Sequence, residues 1–323
     1  MIRDMIPVAT PGYLNRWKQE YRRMDLSVVV PTLNAREELA GCLDALTEYA
    51  GGVELIVVNG PSSDGTTGMV QDHDGVDVLI EVADRTINVA RNAGIDRATG
   101  DAVAFVDHQL RVTERWQAAI GTALADADGA TGPTGARRDG VGDDLRPESR
   151  TIAGREVTYF DPGNVAFTRE VLDELDGFDE YLAVGGARDL AHRFAANGYA
   201  MKWAGDMTAI GGLSADGGER DRDLHWKYRS LAYRMVKNYG VRPSVAWRLL
   251  AHAGSDALSG VRSVLGGDEL PSWWLGTGRD VLTGIAGGAK DSVVARRRDR
   301  SPRRNPRGRS ARADRAVTVY DWR

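Results

Sequence analysis

Short apolar runs alternate along the chain with segments whose apolar residues recur every three or four positions. The runs are rich in valine and isoleucine, and four of them cover residues 26–30, 53–58, 77–81 and 102–107. The segment after the first run places Leu39, Cys42, Leu43 and Leu46 at the spacing of one helix face. Strands and helices that alternate in this way predict an α/β fold with a mostly parallel sheet covered by helices on both faces.

The pattern changes along the chain and suggests four regions. Residues 1–25 are polar and basic, and we interpret them as an N-terminal arm. Residues 26–225 contain the strand and helix alternation. Residues 226–298 predict amphipathic helices, and residues 299–323, rich in arginine, proline and serine, predict a basic flexible tail.

Composition narrows the class of protein. The chain has 323 residues, of which 42% are hydrophobic, so it can bury a full core. The single cysteine, Cys42, lies among the apolar positions of a predicted helix and is interpreted as a small core residue. No run of 18 apolar residues is present, and residues 1–5 lack the apolar core of a signal peptide. We therefore expect neither a transmembrane helix nor a signal peptide.

Charge is unevenly distributed. Residues 291–323 carry a net charge of +7, and since the whole chain carries −4, the remainder carries −11. The basic tail suggests an anionic lipid or nucleic-acid partner. We favour an anionic membrane surface and expect no nucleic acid, because no aromatic platform accompanies the arginines.

Two predicted C-terminal helices carry apolar stripes beside basic residues, and Trp273 and Trp274 precede the second helix. The stripes run through Val245, Leu249, Ala253, Leu258, Val261 and Leu265, and through Val281, Ile285, Ala289 and Val293. Basic amphipathic helices with tryptophan are typical of membrane interfaces. The alternative is that these helices pack on the main domain.

Polar loops follow the first two predicted strands. Residues 31–34 follow the first strand, and Asn34 is placed to cap the helix that comes next. Residues 59–66 follow the second strand, where Asp64 can cap a helix and Gly65 lets the backbone approach a ligand closely. Loops at the carboxyl edge of a parallel sheet bind nucleotides in many α/β folds. For the second loop taken alone, we favour the alternative of an ordinary capped turn.

Two charged residues extend this edge. Arg91 lies on a predicted helix, where it could reach a diphosphate or remain a solvated charge. Asp107 ends the fourth apolar run, where a carboxylate suits a divalent metal. The alternative for Asp107 is a helix-capping or ion-paired side chain.

In order and spacing, these segments resemble family 2 glycosyltransferases of the GT-A fold over roughly residues 26–240. Residues 31–34 correspond to the family's Pro-Thr-Tyr-Asn, and residues 59–66 correspond to its Asp-Asp-Gly-Ser-x-Asp-Gly-Thr. Further matches to family motifs lie at residues 90–94, 163–170 and 176–180.

The resemblance implies an inverting enzyme that transfers a sugar from a UDP- or GDP-linked donor. Arg91 would face the diphosphate, and Asp107 would act with Mg²⁺ or Mn²⁺ to stabilise the charge that develops on the leaving group. Asn164 would lie near the acceptor or donor sugar. The residues expected to border the nucleotide are Pro31, Thr32, Asn34, Asn59 and Asp64.

Three acidic positions of the family are occupied by Gly60, Gln109 and Ala187. Ala187 takes the place of the general base, which leaves Asp189 as the candidate for that role. An acceptor that is already anionic, such as a lipid phosphate, would need less help from a base.

Two hypotheses about function follow from the resemblance. In the first, the protein is a peripheral enzyme at the cytoplasmic face of the membrane, similar to archaeal enzymes of lipid-linked or surface glycan assembly. Its acceptor would be a lipid-linked saccharide or a polyprenyl (dolichyl) phosphate, in protein N-glycosylation or surface glycan synthesis. In the second, a catalytically impaired GT-A fold serves as a scaffold or regulatory subunit for an active glycosyltransferase.

Overall fold

The structure is a computed structural model that describes residues 24–135, 146–211, 224–266, 271–298 and 305–323. Side chains in residues 255–266 and 271–277 are not described, so Trp273, Trp274 and the second half of the first predicted stripe lie outside it. Residues 1–23 of the predicted arm also lie outside the described residues.

Strands and helices alternate through the first half of the chain. The strands are β1 (Leu26–Thr32), β2 (Glu54–Asn59), β3 (Val78–Val82), β4 (Ala102–Val106), β5 (Leu110–Val112), β6 (Gly129–Thr131), β7 (Ser149–Ile152), β8 (Arg155–Thr158), β9 (Asn164–Thr168), β10 (Met201–Trp203), β11 (Ala209–Gly211) and β12 (Ala316–Asp321). The helices are α1 (Arg36–Tyr49), α2 (Thr66–Gln71), α3 (Ile87–Arg97), α4 (Trp116–Leu124), α5 (Arg169–Glu174), α6 (Gly186–Ala196), α7 (Leu224–Tyr239), α8 (Pro243–Gly266) and α9 (Pro271–Arg298).

Eight strands form one sheet in the order β10-β6-β9-β4-β1-β2-β3-β12. Strands β3, β2, β1 and β4 are mutually parallel and form its centre. In this sheet only β9 and β12 run against their neighbours. The predicted mostly parallel α/β sheet is therefore confirmed.

Alternation along the strands creates two apolar layers. Val28 and Val30 pack on one face of the sheet with Leu39 of α1, whereas Val29 packs on the other face with Ala93 of α3. All three valines are fully buried, and each such side chain contributes about 1.5–3 kcal/mol to stability. Strands covered on both faces explain why the runs in the sequence are almost wholly apolar.

Cys42 lies in the first of these layers, as predicted, and is fully buried. Burial and the nearby Asp107 carboxylate raise the pKa of its thiol far above the usual range. Cys42 is therefore a neutral core side chain and not a nucleophile.

The C-terminal helices form a third apolar cluster. It contains Val245, Leu249 and Val281, with Ile285 packed against them, so the described parts of both predicted stripes face protein. Helices α7 and α9 approach so closely that a Cβ at Gly284 or Gly288 would clash with the α7 backbone. This arrangement corrects the interpretation of these stripes as a membrane-facing surface. Among the described residues, no helix is long and apolar enough to cross a membrane.

The end of the chain differs from the predicted flexible tail. Residues 305–323, here called the C-terminal strap, cross the domain, and their strand β12 pairs with β3 and forms one edge of the sheet. Arg315 is buried and forms ion pairs with Glu180 and Asp96, while Arg309 pairs with Asp96 and Asp173. The acidic main domain thus binds this part of the basic tail. Residues 299–304 lie outside the described residues.

Candidate active site

A cleft of about 310 Å³ opens at the carboxyl ends of β1, β2 and β4, between the start of α1 and the start of α3. We call it the sheet-edge cleft. Its lining residues are Pro31, Thr32, Leu33, Asn34, Ala35, Glu38, Gly60, Asp84, Arg85, Thr86, Ile87, Ala90, Asp107, His108 and Gln109. Of the predicted site residues, the fold thus brings Pro31, Thr32, Asn34 and Asp107 together.

Hydrogen bonds join the first and second loops. The amide of Asn34 donates to Ser62 Oγ at 2.8 Å, and the amide of Ser63 donates to Asn34 Oδ1 at 2.8 Å. Asn34 has a φ of +51° and does not cap α1, contrary to the prediction; the cap position is Ala35. The side chain of Asn34 instead fixes the neighbouring loop.

Asp64 also fulfils a structural role. Its Oδ2 accepts a hydrogen bond from the first amide of α1, at Arg36, at 3.0 Å, so it satisfies an N-terminal donor of a different helix. The hydroxyl of Thr66 donates to Oδ1 and lowers the pKa of the Asp64 carboxyl. Asp64 is not among the cleft-lining residues.

Asn59 is buried beneath the cleft and does not line it. Its Nδ2 donates to Thr67 Oγ1 at 3.0 Å, and its Oδ1 accepts from Ser62 Oγ at 2.7 Å. Gly60, the next residue, lines the cleft in its place. In this structure both polar ends of the Asn59 amide are occupied by the loop itself.

Asp107 occupies the end of β4 inside the cleft. Its Oδ1 accepts the amide of Gln109 at 3.1 Å and lies 3.5 Å from His108 Nδ1, and its side chain is 18% exposed. Across from it, Thr32 Oγ1 is buried and has no hydrogen-bond partner among the described residues. A buried hydroxyl without a partner is uncommon in folded proteins, and at a cleft it marks a place where a ligand atom can bind.

The resemblance implies a bound Mg²⁺ or Mn²⁺, and the side chains of the cleft show whether such an ion fits. Within the part of the chain that the structure describes, no group of three or more His, Cys, Asp or Glu side chains is arranged to hold a metal ion. Mg²⁺, however, is commonly held by one or two carboxylates together with substrate phosphates and water. Asp107 therefore fits an ion that arrives with a diphosphate, but not an ion held by protein ligands alone.

Sequence reasoning missed the loop after β3. Asp84, Arg85 and Thr86 line the cleft. Burial acts to raise the pKa of Asp84, but hydrogen bonds from Thr86 and the guanidinium of Arg312 outweigh it and lower that pKa. The signal was available, because this loop follows a central parallel strand just as residues 31–34 and 59–66 do.

Arg91 lies away from the cleft surface. Its side chain is only 5% exposed, packs over the ring of Phe178 at 5.1 Å, and donates to the carbonyl of Pro162 at 3.3 Å. The guanidinium of Arg91 joins α3 to the loop before β9. This placement fits neither of the two expectations for Arg91, which were contact with a diphosphate and a solvated charge.

Asn164 is fully buried in the core. Its Oδ1 accepts from Trp116 Nε1 at 2.8 Å, and its Nδ2 donates to the carbonyls of Met207 and Pro133 at 2.7 and 3.2 Å. With these bonds the amide connects three segments, which corrects the prediction that it lies beside a sugar.

Asp189 is also fully buried and lies outside the cleft. Its Oδ2 pairs with Arg193 and Lys237, both at 2.9 Å, and its Oδ1 accepts from Asn238 at 2.8 Å. Burial acts to raise the pKa of Asp189, but the two cations outweigh it and hold that pKa well below its usual range. A carboxylate held in this way is a poor proton acceptor, so the structure argues against the predicted role of Asp189 as the general base.

A comparison with protein families finds a match over the first part of this domain. Residues 27–176 match the family described as glycosyl transferase family 2, a range that includes β1 to β4 and the sheet-edge cleft. Over these residues the chain is similar to family 2 of the glycosyltransferases, and its α/β fold agrees with that likeness.

Two similar sequences are also named as glycosyltransferases. The chain is similar to the glycosyltransferase AglE of Haloferax volcanii, with 26% identity over 206 residues that cover 56% of this chain and 65% of AglE. The chain therefore spans less than two thirds of that relative. It is also similar to the uncharacterized glycosyltransferase YibD of Escherichia coli, with 36% identity over 87 residues that cover a quarter of each chain.

Solved structures share the fold at low sequence identity. A mannosyltransferase from Pyrobaculum calidifontis, PcManGT, in complex with GDP-Man and Mn²⁺, superposes with a TM-score of 0.53 at 18% identity, covering 87% of this chain and 94% of its own. Residues 1–349 of TarS from S. aureus, in complex with UDP-GlcNAc, also give a TM-score of 0.53 at 18% identity, covering 66% of each chain. Both likenesses support the GT-A fold.

Proposed function

We propose that the protein transfers a sugar from a nucleotide-sugar donor and that the sheet-edge cleft binds the donor. The observation that carries this proposal is the convergence of the buried Thr32 hydroxyl and the Asp107 carboxylate at the carboxyl edge of parallel strands. Ligands of open α/β sheets bind at this edge. PcManGT and TarS, which share the fold, are described with GDP-Man and UDP-GlcNAc.

Mg²⁺ or Mn²⁺ would be held by Asp107 together with the donor's diphosphate. When bound, the ion would stabilise the negative charge that develops on the leaving diphosphate. The protein's own contribution is to orient the Asp107 carboxylate through the Gln109 amide and to present the Thr32 hydroxyl.

For the acceptor we propose a lipid-linked saccharide or a polyprenyl phosphate at a membrane surface. Three large apolar side chains near the start of α8 support it, because Val241, Trp247 and Leu250 are 81%, 73% and 60% exposed. Arg242 lies beside them and is also exposed. Exposed tryptophan beside arginine suits the interface of an anionic bilayer.

Calorimetric titration of the protein with UDP, GDP and their sugars, with and without Mn²⁺, tests the donor site. We expect one nucleotide to bind and its affinity to rise with Mn²⁺. Absence of binding for every nucleotide, with or without metal, would sink the proposal. Sedimentation with phosphatidylglycerol vesicles tests the membrane surface, and a Trp247→Ser variant should sediment less than the wild-type protein.

A second candidate function is a scaffold or regulatory subunit for an active glycosyltransferase. The burial of Asp189 favours it, because α6 has no other carboxylate and Asp189 is occupied by three donors. A scaffold would show no metal-dependent binding of nucleotide, or it would bind the nucleotide sugar without hydrolysing it or transferring the sugar. Product analysis with radiolabelled donors and lipid extracts separates the two functions.

A further inference from the structure

Four arginines from four different elements lie near a group of three aromatic rings, those of Tyr159, His192 and Tyr239. They are Arg155 of β8, Arg188 of α6, Arg234 of α7 and Arg248 of α8, and we call them the arginine cluster. The guanidinium of Arg188 lies 4.9 Å from the ring centre of Tyr159, and that of Arg155 lies 5.5 Å from the ring centre of Tyr239.

His192 packs against both tyrosine rings of the group. His192 Nδ1 lies 2.9 Å from the hydroxyl of Tyr239, and its ring packs edge-on against Tyr159. Burial lowers the pKa of His192, and Arg234, Arg248 and Arg188 lower it further, to about 3. Three guanidinium groups of the cluster therefore act on the same imidazole.

The charges of the cluster are not balanced by acids. Among the residues that the structure describes, none of the four guanidinium groups forms an ion pair, and Arg234 Nε and Arg155 Nη1 are buried without a hydrogen-bond partner. The carboxylate of Asp189 acts on Arg234 from nearby, but its oxygens are occupied by Arg193, Lys237 and Asn238. Buried donors without partners are costly, and guanidinium forks match the oxygens of phosphate.

A groove of about 560 Å³ runs beside the cluster, and Arg248 lies in both. Ile152, Met235 and Val245, which are almost completely buried, contribute apolar surface to it, and the exposed Trp247 also lines it. The arginine cluster suits the phosphate of a phosphorylated lipid, and the adjacent apolar groove suits its hydrocarbon chain.

A chain of contacts connects the cluster to the sheet-edge cleft. Arg234 contacts Gly185 so closely that a Cβ there would clash with its guanidinium, and Gly186, the next residue, packs on Asn88 of α3. The residue before Asn88, Ile87, lines the cleft. On the other side, Tyr159 lies four residues before Gly163, whose carbonyl accepts the Asp107 amide at 3.0 Å.

We propose that the arginine cluster binds the phosphate of a lipid phosphate monoester, whose chain lies in the adjacent groove, and that this phosphate is the acceptor. The proposal rests on the proposed function and chooses between its two acceptors. An oxygen of the lipid phosphate forms a bond to the anomeric carbon of the donor sugar. The bond from that carbon to the diphosphate oxygen breaks, and its electron pair leaves with the nucleoside diphosphate.

This acceptor explains why α6 carries no available carboxylate. A phosphate monoester loses its second proton near pH 6, so at neutral pH the attacking oxygen needs no base. An alcohol acceptor would need one. The cluster thus replaces proton removal with charge-assisted binding of a nucleophile that is already ionised.

Flotation of the full-length protein with phosphatidylcholine vesicles tests the proposal. The vesicles carry polyprenyl phosphate, uncharged polyprenol or phosphatidylglycerol, and a further arm adds inorganic phosphate in solution. We expect binding to polyprenyl phosphate to exceed binding to phosphatidylglycerol. Loss of one charge-assisted contact in Arg188→Gln or Arg248→Gln should weaken it about tenfold. Arg115→Gln, at an exposed position near the start of α4, is the matched control and should bind like the wild-type protein.

The outcomes distinguish the lipid phosphate site from the proposed donor site. Equal binding to phosphatidylglycerol and polyprenyl phosphate, or unchanged binding in both cluster variants, would overturn the lipid phosphate site. If inorganic phosphate competes for binding and the lipid chain has no effect on affinity, the cluster binds free phosphate. That result would also overturn the lipid phosphate site. The donor titrations remain independent, because nucleotide binding by the wild-type protein with no transfer to polyprenyl phosphate rejects only this inference. Thermal unfolding of each variant checks its fold.

Discussion

Lys237 Nζ lies 2.9 Å from Asp189 Oδ2, and both residues are buried. Lys237 comes from α7 and Asp189 from α6, so the pair joins the main domain to the C-terminal helices. The same ammonium lies 2.5 Å from Oδ2 of Asp179, which also accepts the hydroxyl of Tyr233 at 3.0 Å. One lysine therefore neutralises carboxylates from two segments.

Replacing Lys237 with methionine should lower the free energy of unfolding by about 3–5 kcal/mol, because two buried carboxylates lose their shared cation. Urea denaturation measures the change. The control is Lys202→Met, whose pair with Asp126 is largely exposed and should contribute about 0–1 kcal/mol. Equal effects of the two substitutions would contradict the buried pair.

The pH dependence of stability should report His192. Its folded-state pKa is lowered to about 3 by burial and the neighbouring arginines, against an ordinary value of 6.5. The unfolded chain therefore takes up a proton near pH 6.5 while the folded chain resists it. The stabilisation is present above pH 6.5 and is lost as the pH falls, at up to about 1.4 kcal/mol per pH unit.

The charged and titratable groups that face His192 are Arg234, Asp189, Arg248, Arg188, Tyr159 and Tyr239. Urea denaturation of the wild-type protein and of His192→Gln between pH 7 and pH 5 isolates the histidine. The difference between the two free energies of unfolding should change with pH in the direction stated. A difference that stays constant would mean that His192 titrates normally in the folded protein.

Local patterns predicted the framework well. The spacing of apolar residues predicted strands β1 to β4 and helices α1 and α3. This signal is local, because it depends on residues only a few positions apart in the chain. The cleft at the carboxyl edge follows from the same parallel arrangement. Pro31, Thr32 and Asp107 reach the cleft because each stands at the end of a strand whose direction was predicted.

The orientation of individual side chains could not be predicted in this way. Asn59 and Asp64 turn away from the cleft because residues in their own and the neighbouring loop offer hydrogen-bond partners. Asp189 is withdrawn by Lys237, 48 residues later in the chain. Such contacts depend on the assembled fold and leave no local spacing signal.

Asp107 should be essential for metal-dependent transfer. Asp107→Asn removes the one carboxylate at the end of β4 and should lower the transfer rate roughly 100-fold or more. Initial rates at saturating Mn²⁺, together with Mn²⁺ titrations of nucleotide affinity, measure the effect. Asp74→Asn, at an exposed position, serves as the control. Retention of Mn²⁺-enhanced nucleotide affinity in Asp107→Asn would reject Asp107 as the metal-associated residue.

Asp84 supplies a carboxylate at the cleft beside Gly60, which has no side chain. If Asp84 accepts an N–H group of the base, Asp84→Asn should weaken nucleotide binding about tenfold. Arg312→Gln, which removes the cation 3.5 Å from Asp84, should have a smaller effect in the same direction. Calorimetry with UDP and GDP measures both. An affinity unchanged in Asp84→Asn would place the base elsewhere.

The C-terminal strap should be required for stability, because it closes an edge of the sheet. A chain that ends at residue 304 loses β12, so the backbone of β3 is exposed as a free edge, and Glu180 loses its buried partner Arg315. We expect a loss of about 3–5 kcal/mol in the free energy of unfolding and an increase in light scattering from aggregation. The point variant Arg315→Met separates the two causes, because it breaks the ion pair but keeps the strand, and it should destabilise without aggregation. A truncated protein as stable and as monomeric as the full chain would show that the strap contributes nothing to the fold.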